Sequence, residues 1–402
     1  MRGKRVVVGL SGGVDSSVAA HLLLQQGYEV IGIFMRNWHD ESVVINQECP
    51  WIDDSNDAML VADHLGIPFQ VLDLSKAYHE RIVQYMFSEY ESGFTPNPDI
   101  LCNREIKFDV FLKTAEQLGA DFVATGHYCQ RRESASENGT IYHLIAGADD
   151  NKDQSYFLCQ LNQEQLAKAL FPIGHLQKSE VRKIAAEIDL PTANKKDSQG
   201  LCFVGKVKLP VFLQQQLAPK EGNIILIGEK DFQEKVGSLV ASEVEIMDGQ
   251  WAQWSRSVDW SDIKGKWVGK HSGAHYFTVG QRKGLKLGGF KEPLFILATD
   301  TTTNTVYVGE GEHHVALFRS VIFIPDEEQS WLQDKIEFFG SEEKKLIDIR
   351  IRYRQPLEKA WMIQHVNGVY IVFFQPQRAV ARGQFAAWYH RNELIGSGRM
   401  VC

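Results

Sequence analysis

Apolar residues along this chain follow two rhythms. Up to about residue 205, short continuous apolar runs alternate with longer stretches in which apolar positions recur every three or four residues. The runs 5–9, 29–34, 68–72 and 121–125 predict strands buried on both faces. The stripe Ala58, Val61, Ala62, Leu65, closed by Gly66, predicts a helix, as do Phe108, Phe111, Leu112, Ala115, Leu118, closed by Gly119, and Val181, Ile184, Ala185, Ile188. Strands alternating with helices predict an α/β unit over 1–205 with a mainly parallel, doubly wound, Rossmann-like sheet. Ligands of such sheets lie at the carboxyl ends of the strands.

The second rhythm is shorter. Residues 206–290 carry mixed signals, with Trp251, Trp254, Trp260 and Trp267, and predict a small central domain with an insertion near 228–263. From Leu294 the pattern is β throughout: 294–299 and 305–308 flank a polar turn, and Asn367-Gly368 predicts a type I′ hairpin. Strands at this density predict a C-terminal β-barrel over 291–402. Within 346–354, Ile347, Ile349, Ile351 and Tyr353 alternate with Arg350, Arg352 and Arg354, so one face is core and the other a row of guanidinium groups. That row is either a solvated edge or a phosphate-contacting stripe. Alone the first reading is favoured; beside an RNA-handling site the second is.

Length and composition fit this division, since 402 residues with 44% hydrophobic content suffice for two or three cores. The net charge of -8 gives no overall basic footprint. Met1-Arg2-Gly3-Lys4-Arg5 runs straight into the first strand with no apolar leader, and no run is long enough to span a bilayer, so a cytoplasmic protein is expected. The six cysteines show no C-x-x-C pair or zinc-finger spacing and are expected to be mostly buried thiols.

The chemistry concentrates where strands end. Gly9-Leu10-Ser11-Gly12-Gly13-Val14-Asp15-Ser16-Ser17 lies between an apolar strand and a helical stripe. Glycines at 12 and 13 let a ligand approach the backbone, and the N–H groups of the turn and first helical turn make a cradle for phosphate. It has neither the Walker A lysine nor the G-x-G-x-x-G spacing. A plain glycine-rich turn capped by Asp15 or Ser16 is the alternative. After Thr95-Pro96, Asn97-Pro98-Asp99 leads to Cys102, where a helix is expected to begin; a thiol there would be acidified and Asp99 could move its proton. A buried cysteine after a proline turn is equally compatible with that stretch. Cys202 sits between Gly200 and Gly205, His127 follows Thr125-Gly126 at a strand end, and Lys152-Asp153-Gln154 enters an apolar run.

The first of these stretches resembles the SGGxDS loop of the PP-loop ATP pyrophosphatases. All of them, with Gly200-Leu201-Cys202-Phe203, Thr278-Val279-Gly280-Gln281-Arg282-Lys283-Gly284-Leu285 and Arg352-Tyr353, stand in the order seen in the bacterial-type tRNA-specific 2-thiouridylases. The resemblance covers nearly the whole chain, apart from the insertion between about 228 and 263. It implies ATP, with Mg²⁺ on its phosphates, bound by Gly9 to Ser16 together with Met35 and Gly126. It implies adenylation of the wobble uridine of tRNA and sulfur transfer from a persulfide on Cys202, loaded by a sulfur-relay protein or a cysteine desulfurase. Cys102 would release that sulfur and be left in a disulfide with Cys202; Asn97, Pro98 and Asp99 would contact the target base. His127, Lys152, Asp153, Gln154, Arg352, Tyr353 and Gln384 would hold the tRNA. A PP-loop amide ligase, which needs no paired cysteines, and an RNA-binding protein with a decayed nucleotide site are the other classes.

Overall fold

The computed structural model describes residues 3–38, 50–136, 139–196, 209–240, 249 and 251–401. Five parallel strands form the first sheet: β1 (Arg5–Gly9), β2 (Glu29–Arg36), β3 (Phe69–Asp73), β4 (Phe122–Ala124) and, after the hairpin strands β5 (Cys129–Ser136) and β6 (Gly139–Ala146), the short β7 (Ala169–Leu170). Their order is β3-β2-β1-β4-β7. The chain therefore builds outward from β1 in one direction and then returns to its other side, which makes the carboxyl ends of β1 and β4 a topological switch point.

Alternation along these strands divides the core. Val6, Val8 and Phe34 pack with Ala20 and Leu23 of α1 (Val14–Gln25) and with Ala58 and Ala62 of α2 (Pro50–Leu65). Val7, Ile33 and Met35 face the other way, onto Leu101, Ile106, Phe108 and Phe111. Helices thus cover both faces, as the first rhythm of the sequence requires.

The central unit is a four-stranded sheet of β8 (Gly222–Ile227), β9 (Gly265–His271), β10 (Leu294–Asp300) and β11 (Thr305–Glu310), ordered β10-β11-β8-β9. This moves the expected boundary at 290: the hairpin over 294–310 belongs here, because Thr305–Val308 pair in parallel with Asn223–Leu226. A β8–β9 pair alone would leave Ile224 uncovered, and Val306, Val308 and Ile296 bury it. The inserted segment straps two units together. Phe232 and Trp260 join the central core, while Trp254 packs with Val321, Ile363, Tyr370 and Val372 beyond it.

The third unit is a barrel-like antiparallel sheet of β12 (Phe318–Pro325), β13 (Gln329–Trp331), β14 (Lys344–Arg350), β15 (Glu358–His365), β16 (Gly368–Arg378), β17 (Phe385–His390) and β18 (Glu393–Arg399). The β5–β6 hairpin of the first unit extends it, with Leu144 opposite Leu394. The expected 367–368 hairpin is present one residue earlier. His365 pairs with Gly368 around Val366-Asn367, and neither turn residue has the positive φ of a type I′ turn.

The arginine row does not form. β14 ends at Arg350, and the chain turns before the next arginines. Arg350 is buried with its Nη2 3.1 Å from Asp153 Oδ2, close as charges but off the hydrogen-bond axis. Arg352 turns inward and donates to the carbonyl oxygens of Arg378 and Ala379. Arg354 is exposed, at φ 64°. Strand parity fails because the strand stops at the first arginine of the row.

Candidate active site

The loop after β1 is wound by its own hydroxyls. Ser16 Oγ accepts from the Ser11 N–H at 3.1 Å and donates to the Gly13 carbonyl at 3.2 Å; Ser17 Oγ donates to the same carbonyl at 2.8 Å. α1 starts at Val14 with Gly13, rather than Asp15 or Ser16, as its cap, and among the described residues no side chain takes up the first N–H groups. Those donors remain for a ligand. Gly12 has φ 71°, and a Cβ there would strike the Asp54 carbonyl. Gly126, just past β4, comes so close that a Cβ would lie 2.6 Å from the Ser16 nitrogen. Both glycines are demanded by close approach.

β2 outruns β1. Gly9 is opposite Ile33, the last pair, and from Phe34 to Arg36 β2 pairs only with β3. The Leu10 N–H donates to the Ile33 carbonyl at 2.9 Å, and the even-numbered Gly32 and Arg36 bond toward the β3 side. The odd-numbered Met35 backbone therefore faces the corner above Gly9 and Leu10, where β1 has ended. This corner, the loop and Gly126 lie together at the carboxyl ends of β1 and β4.

Asp15 is not left bare. Its Oδ1 accepts from Tyr128 Oη at 2.8 Å and from Lys178 Nζ at 2.7 Å, and its Oδ2 lies 3.0 Å from the same ammonium. Nearby, Lys195 lies between Asp54, at 2.7 Å, and Asp57 on α2. Burial works against the Lys195 charge, but the bonds to both carboxylates win and its pKa is raised. Sequence reasoning missed Lys178, Tyr128 and Lys195. The Asp15–Lys178 pairing spans 163 positions, and no local spacing marks it.

The Asn97–Cys102 stretch folds differently from expectation. Asn97 caps a helical turn by accepting from the Ile100 N–H at 3.3 Å, with Pro98 in the first helical position, so the helix opens at Pro98 rather than at Cys102. Cys102 falls one turn inside, buried, at the start of a wide-turn segment, Cys102–Val110. Asp99 is half-buried one turn before it. Asn103 donates to the Asp99 carbonyl at 3.1 Å and to the Phe157 carbonyl at 3.0 Å, and the Phe157 ring lies 4.2 Å from that of Tyr353. Cys102 shares one core with Met35 and Phe111, and Phe111 also lies against Gly9. The thiol-bearing helix thus packs on the sheet face that carries Met35, and the segment that follows it reaches the end of β1 where the glycine-rich loop begins.

The barrel-like sheet holds the approach to that helix. Gln384 donates to the carbonyls of Thr95 at 2.9 Å and Pro96 at 3.1 Å, and accepts from Asn97 at 3.3 Å. Thr278 of the central unit lies 3.1 Å from Thr95, hydroxyl to hydroxyl. Three of the expected residues face inward instead of outward. His127 is buried, its Nδ1 2.7 Å from Thr125 Oγ1, and burial first, then the Lys107 ammonium, holds its pKa well below the usual histidine value. Asp153 Oδ1 accepts from the Gly147 and Ser155 N–H groups at 3.0 Å each. Gln154 accepts from the Tyr128 N–H at 3.0 Å and so steadies the residue that bonds Asp15. Lys152 is half-buried on the same turn.

Among the other thiols, burial pushes Cys159 up to about 12 and raises Cys129 well above the ordinary cysteine value, so both are inert near neutral pH. Cys202, with 197–205 around it, lies outside the described residues, as do Cys49 and Cys402. Among the described residues no group of three or more metal-ligating side chains exists, and no helix is long and apolar enough to cross a membrane.

Residues 4–206 match the family model described as a tRNA methyl transferase HUP domain, 255–310 the PRC-barrel domain of that name, and 324–400 an aminomethyltransferase β-barrel domain. The chain is 60% identical over 399 residues to the tRNA-specific 2-thiouridylase MnmA of Flavobacterium johnsoniae, covering 98% of this chain and 99% of that protein. It is 59% identical over 397 residues to the protein of the same name from Christiangramia forsetii, covering 98% and 99%. The Lactococcus lactis subsp. lactis protein of that name is 42% identical over 404 residues, covering 99% and 94%.

Proposed function

The chain belongs to the tRNA-specific 2-thiouridylases, sulfurtransferases acting on tRNA, and on that premise we propose how its own residues divide the reaction. ATP lies on the edge formed by Gly9, Leu10, Ser11, Gly12, Gly13, Val14, Asp15 and Ser16, with Met35 and Gly126 beside the nucleoside. Mg²⁺ would arrive with the phosphates and offset their charge. The C2 oxygen of the wobble uridine attacks the α-phosphorus, the bond to the bridging oxygen breaks, and pyrophosphate leaves. Asn97, Pro98 and Asp99 contact the base, which must be out of its stack to reach this edge.

The sulfur step needs two cysteines. A sulfur-relay protein or a cysteine desulfurase supplies a persulfide on Cys202, and its terminal sulfur adds to C2. The Cys102 thiolate attacks Cys202 Sγ, the persulfide bond breaks toward the transferred sulfur, and AMP departs with the former C2 oxygen. The products are 2-thiouridine and a Cys102–Cys202 disulfide, which an external dithiol reduces with two electrons. Asp99 is the candidate acid or base for the protons exchanged.

What supports this reading is that the Asn97–Cys102 helix start packs on the sheet face beside Met35, and that among the described residues no side chain caps the helix that follows the glycine-rich loop. An amide ligase would have no use for that thiol. The test is mass analysis of tRNA nucleosides from cells lacking the protein: 2-thiolated wobble uridines should disappear, and their persistence at the normal level would overturn the assignment.

A further inference from the structure

We propose that Lys178 is a positioning residue of the nucleotide site: it cancels the charge of Asp15 and fixes that carboxylate against Tyr128, so that the loop meets phosphate with donors alone. The proposal rests on the ATP reading above. Asp15 is the second residue of α1, where the helix's free N–H groups converge. A bare carboxylate there would take those donors for itself and repel the phosphates that must displace it. The protein keeps the aspartate and removes the conflict.

Three features make the arrangement a built one. The ammonium reaches both carboxylate oxygens, at 2.7 and 3.0 Å, with the Tyr128 hydroxyl on the first at 2.8 Å. The same ammonium lies 5.7 Å from the centre of the Tyr128 ring, so Tyr128 steadies both partners. The lysine backbone is fixed as well: Lys178 opens the helix Lys178–Glu187, its N–H donates to Asp149 Oδ2 at 3.0 Å, and the preceding Gln177 N–H donates to Glu180 at 2.7 Å. Val181 and Ala185 of that helix pack on Val14 and Val18 of α1. A rigid element therefore aims the charge, and the Lys178 side chain, 14% exposed, is more enclosed than that of Asp15 at 32%.

A double-mutant cycle on ATP binding by the full-length protein separates this role from direct phosphate contact. Lys178→Met should weaken ATP binding about tenfold or more, since an uncompensated carboxylate would then face the triphosphate. Adding Asp15→Asn should return the affinity to within about threefold of Asp15→Asn alone, because the charge that needed cancelling has gone. Lys178→Arg should keep most of the binding, and unfolding midpoints measured without nucleotide report whether each variant is folded. Unchanged affinity in folded Lys178→Met overturns the proposal, and so does an additive cycle, which would place the lysine on the ligand itself. A wild-type protein that binds no ATP overturns instead the reading beneath it, and needs no variant to be seen.

Discussion

His127 shows how far a single side chain can depart from its sequence context. It follows a strand at the ligand edge, which suggests an outward-facing group, yet it is buried against Phe171 and bonded to Thr125. Burial, followed by the Lys107 charge, lowers its pKa in the folded protein well below 6.5. The unfolded chain therefore binds the extra proton more readily, and stability must fall as pH drops below about 6.5 toward the folded-state value. Thermal unfolding midpoints should decline from pH 7 to pH 5, and His127→Phe should flatten part of that decline. An unchanged slope in the variant would assign the loss to the other histidines with depressed values, among them His271 and His314. Asp15 makes a second case at this scale. Asp15→Ala should stop tRNA-dependent pyrophosphate release in a protein that still folds, with its unfolding midpoint lowered because the Lys178 ammonium and the Tyr128 hydroxyl lose their partner. Wild-type release by a folded variant would remove the loop from the chemistry.

Between elements, what was legible follows from range. The helical stripes and buried runs were readable because their partners lie within one or two turns, and Gly66 and Gly119 mark stops that the chain uses at φ 66° and 72°. Assignment of strands to sheets was not readable: nothing in 305–308 says that it pairs with 223–226, or in 139–146 that it completes a sheet ending at residue 399. The phosphate loop and the thiol-bearing turn were legible as motifs, whereas the lysine that neutralises the first and the glutamine that holds the second come from more than 150 positions away. The arginines of 350–354 test the same lesson. Arg350→Ala strands Asp153 in the interior and should cost about 3 kcal/mol or more in urea unfolding. Arg354→Ala should leave stability alone and, where this residue meets a tRNA phosphate, lower the slope of log binding against log salt by about 0.7–0.9. Equal effects of the two substitutions on stability would show that burial does not separate them.

On the scale of the whole molecule, three units converge on one short stretch. The Thr95 N–H donates to the Arg382 carbonyl at 2.7 Å, its hydroxyl meets Thr278, and Gln384 grips Thr95, Pro96 and Asn97. The turn that leads to Cys102 is therefore set by the central and barrel-like units through a few hydrogen bonds, and on the proposed reading a tRNA held by those units would be placed relative to Cys102 by them. Cys102 itself is buried, and a disulfide requires its Cα to come within about 7 Å of that of Cys202. The two-cysteine proposal therefore requires the thiol to be uncovered, or reached, during turnover. A single turnover with ATP, tRNA and a persulfide donor but no reductant should accumulate a Cys102–Cys202 disulfide in step with 2-thiouridine, read by peptide mapping under non-reducing conditions. Cys102→Ser should still adenylate tRNA and accept a persulfide on Cys202, and should fail only at sulfur release. Normal thiolation by Cys102→Ser would end the two-cysteine mechanism and leave Cys102 as a core residue packed behind a proline turn.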